Sequence, residues 1–209
     1  MFILKNIKNI IFDFDGVIID SMSIRADGVR KIFNKYDKND VEYFVEYYKY
    51  NAGLSKFKKI KYFYNEILNK EISEEKINYY SGRLTLIMRK KLISKDILIK
   101  DTLNFIAKNF KNYNFHIASG SEQNELLFLC NKLEIGKYFK SIKGAPIHKN
   151  DLVKMIIDEN EYNLPETLMI GDSINDFDAA KLNNIYFGGY NNKDLVLKED
   201  FYINKFSDL

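Results

Sequence analysis

Apolar positions along this 209-residue chain follow two rhythms. Ile7 to Phe14 form a nearly continuous apolar run, the pattern of a strand buried on both faces. From Ser21 to about Lys95 strand signal is scarce and apolar residues recur at helical spacing. Phe57, Ile60, Phe63, Tyr64, Ile67 and Leu68 share one helical stripe, which puts Lys58, Lys59 and Lys61 largely on the other face. Ser73, followed by Glu74, Glu75 and Lys76, predicts a cap and an acidic first turn for a helix reaching about Leu92. Beyond it the signal alternates: helix over 101–110, strand over 114–118, helix over 122–133, a short strand near Ile142, helix over 149–159, strand over 167–170, helix over 175–182 and strand over 185–187. Strands and helices alternating at these lengths imply crossover units on a parallel sheet. The expected fold class is therefore α/β: a doubly wound, Rossmann-like parallel-sheet core made of 1–19 and 96–209, interrupted after its first strand by an all-helical domain over 20–95.

Composition narrows the class further. Hydrophobic residues make up 46% and charged residues 29%, a globular balance, and no apolar run approaches the ~20 residues that span a bilayer. Lys5 and Lys8 interrupt the first apolar segment, which runs into Asp13 with no small-residue cleavage site and is read as the first core strand of a cytoplasmic protein. The single cysteine, Cys130, permits no internal disulfide and lies in the apolar run from Leu126 to Leu133, the setting of a buried helix face. The net charge of +3 is spread along the chain, so neither nucleic acid nor membrane is expected as a partner.

Chemistry-bearing residues fall where the strands end. Asp13 and Asp15 are two positions apart, so their side chains share one side, and the turn begun by Gly16 lets a cation or phosphate approach both. A carboxylate pair at the end of a buried strand is costly without a partner, and metal binding or catalysis would offset that cost. The plainer reading of Asp15-Gly16 is a turn after a strand. Ser119-Gly120-Ser121 follows the second strand, Gly144-Ala145-Pro146-Ile147-His148-Lys149 a short one, and Gly171-Asp172-Ser173 a later one. Ligands of open parallel sheets bind outside the carboxyl ends of the strands, so these segments are expected to converge on one edge.

In order and spacing, Asp13-Phe14-Asp15-Gly16-Val17, Ser119, Lys149 and Gly171-Asp172-Ser173-Ile174-Asn175-Asp176 resemble the four motifs of the haloacid dehalogenase superfamily, over essentially the whole chain. Asp20-Ser21 and the helical insertion are similar to the phosphoglycolate-phosphatase-like branch with its small helical cap. The resemblance implies a Mg²⁺-dependent phosphatase for a small phosphorylated metabolite, whether alcohol, amino alcohol or sugar, acting as a monomer or homodimer. It implies that Asp13 attacks phosphorus and forms an aspartyl phosphate, while Asp15 protonates the leaving alkoxide and later deprotonates water. Mg²⁺ would be held by Asp13, Asp172 and the backbone carbonyl of Asp15, and Asp176 would hold a metal water or orient Lys149. The Ser119 hydroxyl and the Gly120 amide, at a helix start, would bind phosphate oxygens, and Lys149 would offset charge around the nucleophile. Lys143 competes with Lys149 for that last role. Ser119 and Asp172 would otherwise be helix caps.

Ala52-Gly53-Leu54-Ser55-Lys56 looks like the cap loop that enters the active site in this branch. Lys56 and Arg25 then either meet an anionic or hydroxylated leaving group or are solvated helix-end charges. Tyr43, Tyr47, Tyr48 and Tyr50 are expected mostly to pack, with an aromatic wall as the alternative. His148 is read as a helix-start residue near the site mouth and His116 as a packed core histidine. Superfamily phosphatases and mutases carry Asp two positions after the nucleophile, as here at Asp15, whereas dehalogenases lack an acid there and ion pumps carry Thr. Hexose-phosphate mutases usually carry histidine twelve residues after the nucleophile, where this chain has Arg25. Two alternatives to the phosphatase stand beside it: a phosphosugar mutase and a non-catalytic phosphate-binding regulatory module.

Overall fold

Alternation of side chains along the first strand divides the molecule into two apolar layers. Ile10 and Phe12 join one core cluster with Phe115, Ile117, Leu168 and Ile170, while Ile11 joins a second with Ala118, Met169 and Phe187 on the opposite face. In the computed structural model, which describes residues 4–51, 54–196 and 201–208, these residues belong to one six-stranded sheet. Its strands are β1 (Asn9–Phe12), β2 (Asn114–Glu122), β3 (Ser141–Ala145), β4 (Thr167–Gly171), β5 (Tyr186–Tyr190) and β6 (Phe201–Ile203). All pairings are parallel, in the order β3-β2-β1-β4-β5-β6. The order reverses at β1, which places a topological switch point at the end of the strand that carries Asp13.

The chain leaves this sheet after β1 for a helical insertion made of α1 (Met22–Phe33), α2 (Lys38–Tyr50), α3 (Lys56–Tyr62), a π-helical turn over Phe63–Ile67, and α4 (Glu74–Lys91). Asp37 caps α2 by accepting from the Asn39 amide at 2.8 Å, and Ser73 caps α4 by accepting from the Lys76 amide at 3.3 Å. Aromatic rings fill its interior: Phe33 stacks on Tyr80 at 4.8 Å and meets Phe44 and Phe63 edge-on at 5.3 Å and 4.9 Å. The outgoing and returning crossings lie side by side, with the Asp20 amide donating to the Ile97 carbonyl at 2.7 Å and the Ile99 amide to the Ile18 carbonyl at 2.9 Å. Among the described residues no helix is long and apolar enough to cross a membrane.

The remaining helices cover the sheet. α5 (Lys100–Asn109) and α6 (Gln123–Lys132) pack on the same side as Phe12, and α7 (Lys149–Glu159) and α8 (Ile174–Leu182) on the other. Cys130 is buried on α6, where burial pushes its thiol up to about 12. His116 is a core residue, with Nδ1 and Nε2 bonded to the hydroxyls of Ser141 at 2.7 Å and Tyr162 at 2.9 Å, and burial lowers it to about 4.

Three expectations need correction. β2 does not stop at Ala118 but continues to Glu122, so Ser119 and Gly120 lie in strand and not at a helix start; α6 is capped by Glu122, which accepts from the amides of Asn124 and Glu125. Lys59 is not on a polar face, being 3% exposed, because the turn that buries Ile60 and Phe63 carries it inward too. The edge strand β6 was not expected, since Phe201–Ile203 is too short to show a period.

Replacing Phe33 with Ala removes a ring at 0% exposure from the centre of the insertion. Urea unfolding is expected to show a loss of about 3–5 kcal/mol.

Candidate active site

β1 ends against β4, with the Asp13 amide donating to the Ile170 carbonyl at 2.9 Å, so the Asp13 side chain emerges beside the β4–α8 turn. That turn carries Asp172 and Asp176. Asp176 closes a capping box at the start of α8: its Oδ2 accepts from the Ser173 amide at 3.0 Å and the Ser173 hydroxyl at 2.6 Å. Its other oxygen accepts from Lys149 Nζ, which also donates to Asp13 Oδ1 at 2.8 Å. Asp176 and Asp13 therefore share the Lys149 ammonium. Lys149 reaches the cluster from the first turn of α7, just after His148, which caps that helix beside a narrow opening lined also by Gly120 and Lys149. Lys143 instead pairs with Glu159 at 2.9 Å.

Close backbone approach makes this packing possible. Gly16 has φ +83°, and a Cβ there would lie 1.9 Å from Asp172 Oδ2. Asn191 and Asn192, just past β5, donate to the carbonyls of Gly16 at 3.0 Å and Asp172 at 2.7 Å and hold the two turns together.

Negative charge is left over. Asp13 Oδ2 and Asp172 Oδ1 are buried without a hydrogen-bond partner, and one oxygen each from Asp13, Asp172 and Asp176 lies within 4.8 Å of the others. Burial and the Asp176 charge raise Asp13 to about 7 against the pull of Lys149. Burial and the charges of Asp13 and Asp176 push Asp172 well above the usual carboxylate range. Lys149 is held well above its ordinary value, because the two carboxylates outweigh the effect of burial. Hard carboxylate oxygens without donors suit a divalent cation such as Mg²⁺.

Asp15 stands in a different environment. Its Oδ1 accepts from the Ser21 hydroxyl and from Arg25 Nε at 2.7 Å, and its Oδ2 from the Ser121 hydroxyl at 2.8 Å. Burial alone would raise it, but the Arg25 guanidinium and these hydrogen bonds hold it below the usual range. Ser121 comes within reach because β2 bulges: from Ala118 to Glu122 it runs past only Lys143 to Ala145 of β3. The Ser119 hydroxyl accepts from the Ser121 amide at 3.0 Å, supporting the bulge.

A narrow cleft with about 20 Å³ of free space separates the core from the insertion, lined by Asp15, Arg25, Tyr48, Lys56, Lys59 and Glu125 among others. Arg25 and Lys56 are each 7% exposed, which excludes solvated helix-end charges. Among the four tyrosines, Tyr48 lines the cleft and Tyr47 stacks on Tyr62 at 3.6 Å, whereas Tyr43 and Tyr50 are exposed. Ala52 and Gly53 of the expected cap loop lie outside the described residues; Leu54 borders the cleft. Sequence reasoning gave no role in the site to Ser121, Lys59 or Glu125, whose only signal is their proximity to Ser119, Lys56 and the α6 cap.

The sequence model for haloacid dehalogenase-like hydrolases matches residues 10–189, and the chain belongs to that family. Its fold resembles β-phosphoglucomutase from Clostridium difficile, with 21% identity, a TM-score of 0.80 and coverage of 97% of this chain and 93% of that one. It also resembles CbbY from Rhodobacter sphaeroides, solved with phosphate, with 16% identity, a TM-score of 0.76 and coverage of 97% and 96%. The HAD-hydrolase YfnB from Bacillus subtilis, solved bound to magnesium, shares 14% identity at a TM-score of 0.73 and coverage of 98% and 97%. A comparison with curated protein sequences returns no match.

The raised Asp13 carboxyl predicts a pH signature. Between its ordinary value of 3.8 and about 7 the unfolded chain has lost a proton that the folded one keeps, while His116, lowered to about 4, acts in the opposite sense, so in chelator the melting temperature of wild type is expected to fall relative to that of Asp13→Asn as pH rises through that window. A magnesium ion held by Asp13 and Asp172 would favour their ionised form, so its increment in melting temperature is expected to be larger at pH 8 than at pH 5. Equal increments would remove Asp13 and Asp172 as ligands.

Proposed function

We propose that this hydrolase is a Mg²⁺-dependent phosphatase that cleaves a small phosphate monoester in the cytoplasm through an aspartyl phosphate. Residues 1–19 and 96–209 would form the catalytic unit and 20–95 the cap that selects the substrate. One observation carries the reading: Asp13 sits at the end of β1 with one oxygen fixed by Lys149 and the other, without a hydrogen-bond donor, beside the acidic turn of Asp172.

In this reading an Asp13 oxygen attacks phosphorus and the ester oxygen departs, taking a proton from Asp15. Water then attacks the aspartyl phosphate, Asp15 accepts its proton, and inorganic phosphate leaves with Asp13 regenerated. Lys149 offsets charge on the nucleophile and the phosphoryl oxygens. Ser119 and Gly120, from the bulged end of β2, would serve phosphate through a strand-end turn, with no contribution from a helix start. Mg²⁺, held by Asp13, Asp172 and the Asp15 carbonyl, would neutralise phosphoryl charge when bound. Arg25 governs the state of Asp15: while engaged it keeps the carboxyl ionised, the form that takes a proton from water. Burial is the largest influence on Asp15 and acts upward, so loosening Arg25 moves it toward the acid form that a leaving alkoxide needs.

Transfer to a second hydroxyl, as in a mutase, is less favoured, because the residue twelve positions after Asp13 is a guanidinium locked to Asp15 and Glu125. Phosphate release from a panel of phosphomonoesters checks the proposal. Asp13→Asn is expected to lower kcat at least about a thousandfold with the fold retained. Unchanged turnover would remove the nucleophile, and isomerised sugar phosphate in place of free phosphate would assign a mutase.

A further inference from the structure

Glu125 has no part in the reaction above, yet it is a carboxylate with 1% exposure on the wall of the cleft. It stands in the first turn of α6, where its amide is tied to Glu122 at 3.0 Å. Its side chain crosses to the insertion and meets three helices: Oε1 accepts from Arg25 Nη1 of α1 at 3.2 Å, and Oε2 from Lys56 Nζ of α3 at 2.7 Å and the Thr85 hydroxyl of α4 at 3.4 Å. A buried carboxylate so placed does two things to whatever enters beside Asp15.

First, it cancels charge. Arg25 and Lys56 alone would make a cationic site suited to an acidic leaving group, but Asp15 and Glu125 balance them one for one. Lys59 lines the same cleft, and burial with Arg25 nearby lowers it to about 7, so it adds only part of a charge near neutrality. A carboxylate or second phosphate arriving here would find Arg25 and Lys56 already engaged by Asp15 and Glu125, and so would gain little for the water it gives up. Second, it leaves a mixed set of donors and acceptors. Guanidinium, ammonium and hydroxyl groups stand next to carboxylate oxygens, the pattern that adjacent alcohol groups satisfy, since each hydroxyl both donates and accepts.

We propose that Glu125 is a specificity-determining residue that makes this site select phosphate esters of uncharged polyhydroxy compounds, such as sugar or polyol monophosphates, over esters whose leaving group carries a carboxylate or second phosphate. The inference rests on the phosphatase reading of the site and names its substrate class. Its force is the neutralising of Arg25 and Lys56 toward an incoming anion as much as attraction to hydroxyls.

The test compares kcat/KM of the magnesium-loaded full chain on a hexose monophosphate and on phosphoglycolate, with p-nitrophenyl phosphate as a general ester. Wild type is expected to prefer the sugar ester. Glu125→Gln keeps the side chain's size and removes its charge, and should move the ratio toward phosphoglycolate by about tenfold or more. Lys56→Gln should move it the opposite way, and the double variant, with charge balance restored, should return toward wild type. A wild-type preference for phosphoglycolate, or a ratio unmoved in either single variant, overturns the inference and leaves the phosphatase reading standing. Wild type that releases phosphate from none of the three esters overturns both.

Discussion

Concentrated negative charge at the carboxyl ends of β1 and β4 is the constraint around which the rest of the molecule is arranged. Asp13, Asp15, Asp172 and Asp176 are drawn out of water together, and the structure answers with fixed counter-charges. Lys149 serves Asp13 and Asp176, while Arg25, Ser21 and Ser121 serve Asp15. Each cation is shared, Lys149 between Asp13 and Asp176 and Arg25 between Asp15 and Glu125, so the loss of one carboxylate leaves the cation a second partner. The compensation is incomplete where Asp13 faces Asp172, and burial raises both carboxyls.

The same electrostatics join the insertion to the core. Arg25 belongs to α1 of the insertion but completes the shell of Asp15 in the core, and Glu125 belongs to α6 of the core but holds Arg25 and Lys56 of the insertion. Seating the insertion and setting the protonation state of Asp15 are therefore one event. Paired crossings at Ile18–Asp20 and Ile97–Ile99 confine the connection between the two parts to one short hydrogen-bonded ladder. Buried salt bridges contribute little net stability against apolar packing; what they supply here is register, since Arg25 has fixed partners on two core elements.

Elements with a long, clean period are legible in the residue pattern alone. The helix expected over 149–159 coincides with α7, and the strand over 167–170 falls within β4, because a buried face must repeat at the pitch of its own backbone. Asp13, Asp15 and Asp172 lie together for a related reason, since strand ends in a parallel sheet converge on one edge whatever the details of the loops, whereas Lys149, on a helix, is singled out only by the resemblance to the family motifs. The bulge that carries β2 on to Glu122 is not legible, since it arises from pairing with β3, and Gly120, which could signal it, reads equally as a turn after the strand. Lys59 escapes as well, because a lysine on a helix reads as solvated until the fold sets Tyr48 of α2 against it.

By itself the sequence determined the doubly wound α/β class, the helical insertion after β1 and the acidic edge, all of which follow from local periodicity and from where apolar runs stop. Only the tertiary structure decided which cations meet those acids. Arg25 and Glu125 lie a hundred residues apart and share no pattern, and their pairing exists only because the insertion folds back over the end of the sheet.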